Sequence, residues 1–202
     1  MTVVPVASLQ EYFRDAVQTA LDHQRLQVED DTAHYVVSLL TSYARSEQLF
    51  DATPDGTRLK PLVVMLSEAL EAADPGTRQR GLQRLGDVSL FVAGFFADGF
   101  ARKLIDIDYH IAMGGRAYAV LSETLSIGRR QTLSRVFAEL ASKFQPLVDV
   151  LHEIQDGNRA RSDRDLLRLY EIWLKTGSQR ARRLLGDMGI VPSDSGQNGL
   201  AH

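Results

Sequence analysis

Several titratable side chains lie inside one of the most apolar stretches of the chain. Leu85 to Ser126 reads LGDVSLFVAGFFADGFARKLIDIDYHIAMGGRAYAVLSETLS and carries Asp87, Asp106, Asp108, His110 and Arg116. Charge is costly to bury without a partner, so such groups either serve a site or fasten helices together. Arg102, Asp106 and His110 follow at i, i+4 and i+8 and stack on one flank of a helix. There Asp106 either orients His110 for acid–base chemistry or is neutralised by Arg102 in an intrahelical relay. Asp108 falls beside a strip of small residues, where Arg84, Arg116 or Arg135 would satisfy it. Asp106, Asp108, Tyr109, His110, Gly115 and Arg116 therefore form the candidate ligand-binding group, with Gly115 permitting close approach and the arginine suiting an anionic head.

The helix that must position these residues ends near Ser126 and is apolar on two sides. Leu104, Ile107, Ile111, Tyr118, Leu121 and Leu125 form one stripe, and Ile105, Tyr109 and Val120 a second. A helix apolar on several sides is buried on several sides, which places this one at the centre of a bundle. Its small strip, Ala112, Gly115 and Ala119, matches a strip on the preceding helix, Gly86, Ser89, Ala93 and Ala97, so the two axes can approach closely.

The remaining segments repeat their apolar residues at helical spacing, and almost none alternates as a strand does. Helices are expected at about 8–24, opened by a Ser8/Glu11 capping box, and at 32–45 with Tyr35, Val36, Leu39, Leu40 and Tyr43 buried. After a Thr53-Pro54-Asp55-Gly56 turn come helices at 59–73 and 74–97, the latter capped by Asp74 with Pro75 in its first position. A helix at 129–155 should kink or split at Pro146. Ser162 and Ser178 cap two short C-terminal helices separated by Gly177. The expected architecture is an all-α, single-domain bundle of about seven to eight helices around a central buried one. Residues 1–157 form the bundle, 158–190 a helical hairpin packed on it, and 191–202 a disordered tail.

The 202-residue chain has no cysteine, which excludes disulfides, thiolate metal sites and thiol nucleophiles. Its longest apolar run, Val88 to Ala97, is half the length a membrane-spanning helix needs, and no secretory leader is visible, so a cytoplasmic protein is expected. Two D-x-x-H pairs, Asp31/His34 and Asp149/His152, have the outline of di-iron ligands. They use Asp rather than Glu, fall on the expected solvent side of their helices and lack further inward acids. No metal and no cofactor are therefore assigned.

Charge is unevenly spread: residues 1–76 hold 5 basic and 12 acidic side chains, and residues 158–183 hold 8 basic and 3 acidic. In the C-terminal hairpin, Tyr170 and Trp173 supply apolar surface and Arg180, Arg182 and Arg183 a basic edge. Together they are the candidate interaction surface for a protein partner or a second copy of the chain. The hairpin has the outline of a helix-turn-helix, but a net charge of −3 argues against nucleic acid.

The segments LYEIWLKTGSQRARRLLGDMGIVP (169–192), LGDVSLFVAGFF (85–96) and YHIAMGGRAY (109–118) are similar to stretches of a group of all-helical bacterial proteins with no assigned activity. The resemblance implies a bacterial, cytosolic, helical protein and brings no activity, cofactor or site residue. The leading expectation is a non-catalytic interaction or regulatory protein. The alternatives are a small-ligand or enzyme site around Asp106, Asp108, His110 and Arg116, and, less favoured, DNA binding through the hairpin.

Overall fold

The computed structural model describes residues 6–44, 51–53, 56–95, 107–126, 130–156, 172–173 and 176–187. Among them are eight helices: α1 (Val6–Gln24), α2 (Asp30–Tyr43), α3 (Leu62–Glu71), α4 (Pro75–Phe95), α5 (Ile107–Ser126), α6 (Gln131–Ser142), α7 (Phe144–Asp156) and α8 (Gln179–Asp187). The fold is an all-α bundle. Among the described residues there is also a hairpin in which β1 (Asp51–Thr53) pairs antiparallel with β2 (Gly56–Arg58), Thr53 opposite Gly56.

Local chemistry accounts for most helix ends. Asp74 caps α4, its Oδ2 accepting the Thr77 amide at 2.7 Å. Ser178 caps α8, its Oγ accepting the Ala181 amide at 3.0 Å. Gly177, at φ 66°, supplies the left-handed residue that ends the preceding helical turn. Ser8 is not a cap, because α1 already begins at Val6. Pro146 does not kink a long helix. The break falls at Lys143, and the proline sits in the first turn of α7, where its missing N–H costs no hydrogen bond.

The central buried helix is α4 rather than α5. Every residue from Val88 to Gly94 is buried, and α4 packs against α5, α3, α7 and α2. In α5 the buried residues, His110, Gly114, Ala117, Tyr118, Leu121 and Leu125, form one stripe, while Tyr109 is 43% exposed. The close approach of α4 and α5 uses the expected Gly86, and on α5 it uses Gly114 rather than Gly115. Gly86 lies under the Tyr118 ring, and Gly114 faces Ser89 and Phe144. Gly115 has ordinary room, its nearest neighbour being Phe144 Cβ, 3.7 Å from where a side chain would begin.

Candidate functional site

Asp87 stands just before the fully buried run of α4, so it enters the protein between α2 and α5. Each of those helices contributes a tyrosine whose ring joins the core and whose hydroxyl then needs a partner. Tyr35 donates to Asp87 Oδ1 at 2.7 Å, and Tyr118 donates to the same oxygen at 2.6 Å. Gln83, one turn back on α4, donates to the Tyr35 hydroxyl at 2.9 Å. The rings are fixed from behind: Phe137 stands edge-on to Tyr35 at 5.4 Å and tilted against Tyr118 at 5.5 Å.

Burial pushes the Asp87 carboxyl up to about 6, against the two phenol bonds and the charge of Arg84, which favour the anion. Burial and the adjacent carboxyl raise both phenols well above their ordinary range, so they remain protonated donors. Both phenols use the same oxygen, Oδ1. Asp87 lines an open groove of about 530 Å³ between α2 and α4, together with Ser38, Ser42, Arg80, Gln83 and Arg84. The arrangement is a rigidly aimed carboxyl, raised by burial, on the wall of a groove of mixed lining. It can accept a hydrogen bond from a ligand or exchange a proton with it.

The described residues among those singled out on α5 do not converge. Asp106, with Arg102, lies outside the described residues. Tyr109 and Arg116 face solvent. His110 is only 6% exposed, and burial lowers it to about 4, so it is neutral at ordinary pH. Its Nδ1 and Asp108 Oδ1 are buried with no hydrogen-bond partner, so the arginine expected for Asp108 is not there. In the sequence Asp87 stands out as an acid in apolar surroundings, whereas Tyr35 and Tyr118 read only as members of apolar stripes. The available signal was that a buried tyrosine still needs an acceptor.

At the C-terminal end, Tyr170 lies outside the described residues. Trp173 is 3% exposed and packs with Ala181 and Leu185. Arg180 is buried and donates to Asp156 Oδ2 at 2.6 Å, which leaves Arg182 and Arg183 as exposed arginines of α8. Asp149 and His152 are buried rather than on a solvent face, Asp149 meeting the N-cap of α8 and His152 meeting α4. The Ser178 hydroxyl donates to Asp149 Oδ1 at 2.6 Å, and His152 Nε2 meets the Ala93 carbonyl at 2.8 Å. Asp31 and His34 are exposed. Among the described residues no three His, Asp or Glu side chains gather as a metal site, and no helix is long and apolar enough to cross a membrane.

Ser178 thus serves two partners, and Ser178→Ala should loosen α8 by about 2 kcal/mol through loss of the cap and of a buried carboxyl's donor. The chain's one tryptophan, Trp173, reports on this directly. In urea, its fluorescence transition should shift to lower denaturant in the variant, ahead of the helical circular-dichroism transition. An unmoved fluorescence transition would show that Ser178 does not hold α8.

The class defined by these features is an all-α bundle whose best-formed polar site is a buried carboxyl held by two phenols beside a groove. Comparison with known proteins gives no match: no family model fits the chain, and no curated protein or solved structure is significantly similar to it.

Proposed function

We propose that this is a helical binding protein that takes a small polar ligand in the α2–α4 groove, with Asp87 accepting a hydrogen bond from it. The observation that carries this reading is the pair of phenols from two helices fixing one oxygen of a carboxyl that lines the groove. Size does not single this groove out. One of about 570 Å³ lies between α4, α5 and α6, and one of about 690 Å³ lies among α1, α7 and α8. Neither is lined by a carboxyl that burial has raised. Binding rather than catalysis is supported by the lining, since no histidine or second carboxyl joins Asp87 among the described lining residues. Asp87 ties α2 and α5 to α4, so a ligand on it acts on three helices, which suits a regulatory role in the cytoplasm, passed on to a protein partner or a second copy.

The test is native mass spectrometry of the full chain with a panel of amino acids, amines and small organic acids. A one-to-one adduct that disappears in Asp87→Asn is the expected result. An adduct that survives the substitution, or none across the panel, overturns the reading.

A further inference from the structure

We infer that the ligand of the α2–α4 groove is a small zwitterion, its ammonium group on Asp87 and its carboxylate or phosphate toward Arg80. This rests on reading that groove as a ligand site. Arg80, Gln83, Arg84 and Asp87 fall at i, i+3, i+4 and i+7 on α4, one stripe of the helix, and all four line the groove. Arg80 and Asp87 are thus two turns apart, about 10 Å along the axis, with opposite charges at the two ends.

The polar neighbours of the Arg80 guanidinium are in the first turn of its own helix. It donates to Thr77 Oγ1 at 2.9 Å and stands 3.9 Å from Asp74. Its side chain is 74% exposed, so most of its five donors stay available. Across the groove, Ser38 and Ser42 sit one turn apart on α2 and offer hydroxyls along the path. A simple cation entering here meets the exposed Arg80, and a simple anion meets Asp87, the only carboxyl among the described lining residues. A ligand carrying both charges, with its ends about 5 to 10 Å apart, complements both poles at once.

The experiment is isothermal titration calorimetry of the full chain with aminobutyrate, aminohexanoate and aminooctanoate, against hexylamine and hexanoate as single-charge controls. At least one ω-amino acid should bind about tenfold or more tighter than either control, since each end adds a charge-assisted hydrogen bond. Affinity should also depend on chain length. Arg80→Met, an exposed substitution with little bearing on folding, should reduce the amino acid to the affinity of the amine. Asp87→Asn should reduce it to that of the acid; if that variant does not fold, Arg80→Met decides alone. Hexylamine binding as tightly as the amino acid, with Arg80→Met silent, overturns the zwitterion and leaves the groove as a cation site. No binding by any of these compounds, together with a native-mass adduct of another class that is lost in Asp87→Asn, likewise overturns the ligand class alone. Absence of both binding and adduct removes the site itself.

Discussion

Gly86→Ala should destabilise the protein by about 3 kcal/mol, a large share of the stability of an ordinary domain. A methyl group there would stand 2.6 Å from Tyr118 Cδ1, well inside carbon–carbon contact distance. Tyr118 has little room to give: it is fully buried, packed against Phe137 and Phe144, and held at its far end by Asp87. Moving the ring strains or breaks that hydrogen bond, which adds to the overpacking. The gain in helix propensity from replacing a mid-helix glycine, about 1 kcal/mol, offsets only part of this. Gly115→Ala is the matched control. Its nearest contact is ordinary, so propensity should win and the variant should be more stable by about 0.5 to 1 kcal/mol. Urea midpoints of the two variants, followed by circular dichroism, decide the matter. Equal effects at the two positions would mean that the α4–α5 seam is looser than described.

That contrast shows what the sequence makes legible and what it does not. Small residues on two consecutive helices announce that the helices touch, and α4 and α5 do pack closely. Which glycine faces the partner depends on the rotation of each helix, set by all its neighbours together. Caps read well because they are local: Asp74 bonds three residues on, and so does Ser178. Pro146 was legible as an interruption but not its placement, because the chain gives up helix at Lys143 and uses the proline inside the next first turn. The two three-residue strands are too short for an alternating pattern to show.

The site follows the same division. Asp87 was visible as an acid in apolar sequence, yet its meaning depends on Tyr35, 52 positions away, and Tyr118, 31 positions away. In a periodic reading a tyrosine scores as one more apolar residue on a stripe. Only the assembled bundle shows two hydroxyls arriving at one oxygen. The reverse holds on α5, where Tyr109 and Arg116 face solvent while His110 is buried, so nearness along the chain does not make a constellation.

The pH dependence of stability should be nearly flat between about pH 4 and 6 in the native protein, and steep in opposite directions in two single variants. Asp87 is raised to about 6 from an ordinary 3.8, so in this window the folded state holds a proton that the unfolded chain releases. Its contribution is fully present below the ordinary carboxylate range and is lost as pH rises through 6. His110 is lowered to about 4 from 6.5, so here the unfolded chain holds the extra proton. Its contribution is fully present above 6.5 and is lost as pH falls through 4. Each shift is worth roughly 3 kcal/mol, and the two oppose one another across nearly the same range. Asp149, also raised by burial, adds to the side of Asp87. Asp87→Asn should therefore uncover the histidine, with stability falling steeply as pH drops from about 6.5 to 4. His110→Gln should uncover the carboxyl, with stability rising as pH drops from about 6 to 4. Thermal melts of the three proteins at half-unit pH steps measure both slopes. Parallel profiles in all three would mean that neither group is buried in the folded state, and a steep profile for the native protein alone would assign the titration to other groups.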